Sequence, residues 1–316
     1  MNRNTNLQIA LPKMSLKNSK SSSTFSLSSS SSSSFQKHSS SPKTHHQTKK
    51  HSSLSFDQEF DCLAQLKILV VNNKEGASFP YAAASVNRAM MIYRFASFHS
   101  FDYKKALVAL LQNYNNNRYL HLSLSDAELL AQFQTKTLFP LPEELKTRDL
   151  KCNVFYLRPS RFTPSDDGSN SNTRLIIDNL CYVLNDMSQT KEECRNGVAF
   201  IANMEDWTMK NFSQDYCFQF MQALQGKMVP TKVELFLIVN PPSWFGRIWK
   251  VIKPMLSKSF SKKTFIIKDH QLGDYLMEGY EQYLPDDLTG GWMQTEEIVE
   301  DYIDLKRYED EQKLKT

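Results

Sequence analysis

NPPSWFGRIWKVIKPMLSKSFSKK, residues 240–263, is at once apolar and uniformly basic. Its apolar residues recur at one-, three- and four-residue spacings, which predicts one broad apolar face on a helix of about residues 243–257. The Pro241-Pro242 pair ends a preceding strand, and Ser243 can cap the helix. Six basic residues and no acidic residue accompany that face: Arg247, Lys250, Lys253, Lys258, Lys262 and Lys263.

The positive charge of this stretch contrasts with the rest of the chain. The net charge is +4 over 316 residues, but residues 1–56 alone hold eight Lys or Arg and no acid. Residues 240–268 carry +7, also without an acid, whereas residues 269–316 hold 14 acids against four bases. The stretch is therefore a local positive patch, which indicates a specific partner surface.

Three partners would suit such a patch: nucleic acid, another helix, or a membrane surface. Nucleic acid would favour aromatic side chains interleaved with the basic ones on an open surface, whereas here the aromatic residues share the apolar face. A plain amphipathic helix, packed on the body with a solvated basic face, is the simplest alternative. A helix that lies over an apolar cavity and faces a membrane fits the wide apolar face best. The sequence thus predicts an anionic membrane partner and no nucleic acid.

The remaining chemistry-bearing residues indicate no catalytic or metal site. Five scattered cysteines without a C-x-x-C pair favour a reducing, cytoplasmic compartment. No apolar run approaches the roughly 18 residues needed to span a bilayer. G-x-S-x-G, P-loop and G-x-G-x-x-G motifs do not occur in the sequence. We therefore expect no enzyme, no catalytic residue, no metal and no cofactor.

The composition changes along the chain and predicts four regions. Residues 1–55 are Ser-rich, basic and almost without apolar periodicity, which predicts a disordered tail; an organelle transit peptide is the alternative. Residues 56–140 show helical spacing of apolar residues and predict a helical N-terminal lobe. Residues 141–292 alternate strand and helix patterns, and residues 293–316 form an acidic C-terminal tail.

The alternation after residue 141 predicts an α/β fold with a mostly parallel sheet. Strands are predicted at 153–159, 197–204, 233–240 and 264–268. Helices are predicted between them at about 173–189, 208–226 and 243–257, followed by a last one at about 270–283.

In this order the motifs resemble those of the CRAL-TRIO lipid-binding domain family, over about residues 80–292. The matching segments are YRFASFHSFDYKKALVALLQN (93–113), RNGVAFIANMEDWT (195–208), VELFLIVNPPSWFGRIWKVIKPMLS (233–257), SKKTFII (261–267) and LPDDLTGG (284–291). Departures from the family pattern include Asn203 in place of an Asp and one extra residue in the last motif.

The resemblance implies a helical lobe on a sheet that floors an apolar lipid pocket closed by a gate helix, about Trp244 to Leu256. We expect a pocket of several hundred Å³, the size of small-molecule sites. Its predicted lining comprises Val198, Phe200, Ala202, Phe236, Ile238, Phe245, Ile248, Trp249, Ile252 and Leu256.

The resemblance also bears on the ligand. Lys263 matches a Lys that holds the headgroup in phosphatidylinositol-binding members, but Thr231 stands where those members have a Glu. Thr231 therefore disfavours an inositol lipid as internal cargo, whereas a hydrophobic cargo such as a tocopherol-like, retinoid-like or sterol molecule stays open. The six basic residues named above are predicted to contact membrane or phosphoinositide.

The sequence thus predicts a monomeric lipid-binding and transfer protein that carries a hydrophobic small molecule or phospholipid. It would associate peripherally with anionic membranes. A phosphoinositide-sensing regulatory or scaffold module without net lipid transfer is the alternative.

Overall fold

A computed structural model describes residues 55–72, 85–115, 122–165 and 171–315. The tail predicted for residues 1–55 lies outside these ranges, apart from Ser55. All described residues belong to one compact unit, residues 48–316.

Ten α-helices lie in the described ranges, and the sequence pattern explains the longer ones. Three N-terminal helices carry apolar residues at three- and four-residue spacings, as expected for helices that bury one face. In chain order the helices are α1 (Phe56–Asn72), α2 (Ser85–Phe98), α3 (Tyr103–Asn115), α4 (Ala127–Gln134), α5 (Ser171–Asp186), α6 (Lys191–Asn196), α7 (Gln214–Leu224), α8 (Phe245–Ile252), α9 (Lys258–Ser261) and α10 (Thr295–Lys315).

Five strands form one sheet whose spatial order follows the chain order. The first pair is antiparallel and the three others are parallel. The strands are β1 (Leu138–Pro140), β2 (Asn153–Leu157), β3 (Val198–Asn203), β4 (Val233–Val239) and β5 (Thr264–Ile267). The predicted fold class, a helical lobe followed by a mostly parallel sheet, is confirmed.

The central strands are mostly apolar because both faces of the sheet are covered. Every residue of β2 and β3 is buried. On one face, the side chain of Phe236 contacts the rings of Phe200 and Phe260. The other face meets the segment after β5, since Phe265 of β5 packs its ring against Tyr275.

Several predicted helices are shorter than expected. The helix predicted at about 270–283 is wrong: this segment forms two 3-10 turns, Asp269–Asp274 and Tyr280–Tyr283, and Gly279 between them has a φ of +73°. Gly273 and Gly279 both disfavour a continuous helix here. The helix predicted at 208–226 begins only at Gln214, behind a separate 3-10 turn, Met209–Asn211.

The helices α1, α2 and α3 pack on one another and have an apolar core of their own, which includes Leu66, Phe95 and Leu110. Polar contacts join them to the sheet lobe. Ser97 donates to the carbonyl of Cys194 at 2.9 Å, and Arg94 donates to the Asn185 side chain at 2.8 Å.

The acidic segment predicted as a C-terminal tail contains α10. One side of α10 is buried in the main core through Ile298, Val299, Tyr302 and Ile303. The boundary predicted between this segment and the domain before it stays a prediction.

Candidate functional site

The helix α8 has two chemically opposite faces, as its sequence pattern predicts. Phe245, Ile248 and Ile252 are buried and Trp249 is half-buried, whereas Arg247 and Lys250 are exposed. The helix ends at Ile252 because Pro254 cannot continue the hydrogen-bond ladder, and Lys253–Met255 form a 3-10 turn. We refer to α8 as the gate helix.

An apolar cavity of about 60 Å³ lies beneath the gate helix. No charged side chain belongs to its lining, which is drawn from α7, α8, β4 and the ends of β2 and β3. The lining residues are Leu157, Pro159, Met204, Trp207, Tyr216, Cys217, Phe220, Met221, Phe236, Ile238, Phe245, Trp249 and Ile252.

The cavity is far smaller than the several hundred Å³ that we expected. Its volume equals the share of roughly two water molecules in the liquid, so it cannot hold a lipid in this conformation. Phe245, Trp249 and Ile252 of the gate helix line it together with Phe236 and Ile238 of β4.

Half of the predicted pocket residues line this cavity: Phe236, Ile238, Phe245, Trp249 and Ile252. Val198, Phe200 and Ala202 lie on the same face of the sheet, since Phe200 pairs with Phe236 and Ala202 with Ile238. They are buried in the core, as is Ile248, while Leu256 packs half-buried against that core. Their role as lipid contacts stays a prediction.

Sequence reasoning missed the wall that α7 contributes. Tyr216, Cys217, Phe220 and Met221 of α7 all face the cavity. Their spacing of one, three and four residues marked an apolar helix face. The sequence could not show that this face turns toward the gate helix.

The N-terminal end of the gate helix is closed by aromatic rings. Trp207 stacks on Trp244 with ring centroids 4.9 Å apart, and it meets Phe245 edge-on at 6.1 Å. Phe245 in turn stacks on Trp249 at 5.8 Å. These contacts bury apolar ring surface, which acyl chains could cover in their place.

The titratable groups of the cavity wall are uncharged near neutral pH. Burial raises the pKa of the Cys217 thiol to about 12. Burial also raises the pKa of the Tyr216 hydroxyl well above its usual value. The wall therefore favours an uncharged, hydrocarbon-like ligand portion.

The six predicted basic residues divide into two groups. Arg247, Lys250, Lys253, Lys258 and Lys262 are exposed, and within the described ranges none forms an ion pair. Lys263 is different: its Nζ lies 2.7 Å from Glu234 and donates to the Val233 carbonyl at 3.2 Å. The first five are thus free to meet an external anion, whereas Lys263 already has an internal one.

Lys263 belongs to a polar groove of about 760 Å³ between the N-terminal helices and the sheet lobe. Arg195 and Glu59 pair across it with two contacts of 2.8 Å. Burial lowers the pKa of Lys232, an effect that nearby Glu234 opposes. The lining comprises Glu59, Phe98, Ser100, Phe101, Arg195, Leu224, Gln225, Lys232, Val233, Glu234, Ser257, Ser259, Phe260 and Lys263.

The described part of the chain contains no cluster of three or more His, Cys, Asp or Glu side chains that could hold a metal ion. None of its helices is both long and apolar enough to cross a bilayer. The five cysteines are buried.

Comparison with known proteins identifies the sheet lobe. Residues 146–290 match the family model of the CRAL/TRIO domain. This match confirms the resemblance noted in the sequence. It supports, in general terms, a protein that binds or transfers lipid.

Two kinds of curated relative are similar to the chain. The alpha-tocopherol transfer protein-like proteins of Mus musculus and Homo sapiens are each 27% identical over 195 residues, 60% of this chain and 54% of the relative. Tyrosine-protein phosphatase non-receptor type 9 of Homo sapiens is 27% identical over 116 residues, 37% of this chain and 19% of that protein. The chain spans about half the length of the tocopherol relatives. The phosphatase similarity carries no conclusion about catalysis.

The crystal structure of Sfh5 shares the fold. The two structures superpose with a TM-score of 0.53 at 14% sequence identity, over 81% of this chain and 99% of that one.

Proposed function

We propose that this protein, acting as a carrier rather than an enzyme, binds a hydrophobic lipid beneath the gate helix and exchanges it at anionic membranes. The observation that carries the proposal is an apolar cavity roofed by one short helix with an apolar inner face and a basic outer face. The cargo would occupy the space that Phe245, Trp249 and Ile252 now fill. Loading therefore requires the gate helix to move.

The hydrophobic effect keeps this gate closed in water. Moving the helix outward exposes three large apolar side chains, at roughly 2 kcal/mol each. A total of roughly 6 kcal/mol corresponds to an open population of about one molecule in ten thousand or fewer. At a membrane the same three side chains would contact the acyl chains of the bilayer instead of water. Most of the free-energy cost of exposing them therefore disappears.

Exposed apolar residues on the surrounding elements support membrane contact at this end of the molecule. Val251 of the gate helix is 42% exposed, Phe218 of α7 is 48% exposed and Met209 of the preceding 3-10 turn is 58% exposed. The basic side chains Lys250 and Lys253 flank Val251 in the sequence. The basic side chains would attract this surface to an anionic bilayer, and the exposed apolar side chains would insert into the bilayer.

Vesicle flotation of a charge-reversal variant tests the docking step. Each Lys near an anionic surface contributes on the order of 1 kcal/mol. Substituting Lys250→Glu, Lys253→Glu and Lys258→Glu together should weaken binding to phosphatidylserine-containing vesicles by on the order of a hundredfold or more in low salt. The fold should be unaffected, since all three side chains are exposed.

A matched control reverses three exposed lysines elsewhere, Lys67, Lys104 and Lys191. The control variant has the same net charge and should float like the unmodified protein. If the gate variant floats equally well, docking through this surface is wrong. If both variants fail, only net charge matters, which also contradicts the proposal.

The polar groove favours a second candidate, a phosphoinositide sensor without net transfer. Arg195, Lys232 and Lys263 line it and would attract a phosphorylated headgroup, although Glu59 and Glu234 already pair with two of them. A sensor would bind such vesicles without moving lipid between them, so lipid transfer discriminates the two candidates.

The proposed setting is the cytoplasm, with reversible attachment to membranes and a monomeric carrier. The buried thiols of the described cysteines are compatible with a reducing compartment.

A further inference from the structure

The C-terminal end of the gate helix is tied to α7 through Gln225. This residue directly follows α7, and its amide oxygen accepts from the Ser257 backbone nitrogen at 2.7 Å. Its amide nitrogen donates to the Met255 carbonyl at 3.1 Å and to the Met221 carbonyl at 2.9 Å. Both donors and the acceptor of the amide are thus engaged, which fixes its orientation.

The Gln225 side chain forms these hydrogen bonds with Met255 and Ser257, just after the regular gate helix ends. Pro254 removes a backbone donor and ends the regular helix, and Leu256 is already extended, with φ −85° and ψ 136°. Ser257 then begins α9, because its hydroxyl accepts from the Phe260 nitrogen at 3.1 Å. Residues 253–257 therefore join α8 to α9 through a short segment that is not α-helical.

The backbone beside Gln225 packs against α2, one of the N-terminal helices. Gly226, next to Gln225, has a φ of +75°, and the ring of Phe98 packs directly on its backbone. A Cβ atom at Gly226 would lie only 2.0 Å from that ring. The backbone that carries Gln225 is thus fixed by α2, independently of the gate helix.

The two ends of the gate helix are held by different kinds of contact. The Trp244 end rests on aromatic stacking, which lipid chains can replace, whereas the Met255 end is hydrogen-bonded. Gln225 and Ser257 line the polar groove, so water can satisfy their polar groups when the tie opens.

We propose that Gln225 is a positioning residue that anchors the pivot of the gate helix. Opening then begins at the Trp244 end and swings about residues 253–257, while Gln225 holds that pivot against α7. The inference rests on the proposed function only in taking α8 as the gate.

Hydrogen–deuterium exchange of the full chain tests this without lipid or vesicles. The substitution Gln225→Met keeps the length of the side chain and removes its hydrogen bonds to Met255 and Ser257. We refer to residues 245–256 as the gate segment. Amide exchange in residues 245–256 should become roughly three- to tenfold faster. Peptides from β3 and β4 in the same sample serve as the reference and should not change.

The matched control is Gln219→Met, because Gln219 lies on the same helix and its side chain bonds only to Asp215 there, at 2.8 Å. The control should leave exchange in the gate segment unchanged. The proposal is overturned if Gln225→Met leaves the gate segment unchanged, or if it accelerates β3, β4 and the gate alike. Gln225→Ala provides a second variant if the Met variant does not fold. Failure of lipid transfer would leave this result standing, so the two proposals fail separately.

Discussion

Trp249 shows how one side chain serves both stability and cargo retention. Its indole lines the cavity and stacks on Phe245, yet part of it remains accessible at the surface. Sequence spacing placed Trp249 on the apolar face of the helix. The spacing could not show that the ring itself would occupy the cavity.

Replacing Trp249 with Ala should loosen the gate. A large-to-small change at a fully buried site costs about 3–5 kcal/mol, and the partial exposure of Trp249 lowers the expectation to roughly 2 kcal/mol. A bound uncharged apolar dye, 1,6-diphenyl-1,3,5-hexatriene, should therefore enter and leave the protein faster. Stopped-flow fluorescence measures both rates.

Trp292→Ala is the control, because Trp292 is 73% exposed and lies outside the cavity wall. Its dye kinetics should match those of the unmodified protein. Equal kinetics for all three proteins would show that Trp249 does not close the cavity.

The ion-pair partner of Lys263 could not be predicted from the sequence. Its position matched a headgroup-binding Lys in the family pattern. The structure pairs it with Glu234, three residues after the Thr that replaces the expected Glu. Position along the chain could not reveal this pairing, because it depends on the register between β4 and β5.

At the scale of elements, a buried polar cluster holds the segment after β5 against the sheet. Asp287 of the LPDDLTGG motif forms an ion pair with Arg158 and accepts from the Tyr156 hydroxyl at 2.5 Å. Asn203 donates to the same hydroxyl at 2.9 Å. The motif was visible in the sequence, but its partners lie some 130 residues earlier, beyond the reach of any local pattern.

Replacing Asp287 with Asn should destabilise the fold. The change leaves the mostly buried Arg158 guanidinium with only Asp206, an exposed carboxylate at 3.5 Å. We expect a loss of roughly 2–3 kcal/mol, near the lower end for a broken buried ion pair. The melting temperature should then fall by roughly 5–10 °C, measurable by thermal denaturation.

The neighbouring Asp286→Asn provides the control, since Asp286 is exposed. A double variant, Arg158→Met with Asp287→Leu, should recover part of the lost stability because it removes both charges. A melting temperature for Asp287→Asn within a degree of the control would contradict the role given to this cluster.

The success of the predicted elements follows from their length and periodicity. Strands β2 to β5 were predicted because continuous apolar runs are bounded by polar or Pro residues. Strand β1 was missed because three residues, one of them Pro140, are too few to show a period. The helix predicted near residue 270 was wrong because its apolar spacing persists through two glycines that the backbone uses as turns.

At the scale of the whole molecule, the chain combines a sheet lobe with one short amphipathic helix, which has to move if the proposed function is right. The order of the motifs made the fold predictable, and the charge pattern singled out residues 240–263. The size of the cavity was not predictable, because it depends on where the gate side chains point. The lipid-carrying role proposed here requires that the closed cavity enlarge.

Transfer of natural lipids between vesicles tests that role most directly. Donor vesicles made from a total cell lipid extract would be incubated with acceptor vesicles of synthetic phosphatidylcholine and phosphatidylserine, with and without the protein. Mass spectrometry of the separated acceptors then identifies every lipid that has moved. The account predicts that at least one hydrophobic lipid class accumulates in the acceptors faster with the protein, in more than one copy per protein molecule. Acceptor compositions that stay identical with and without folded protein would contradict it.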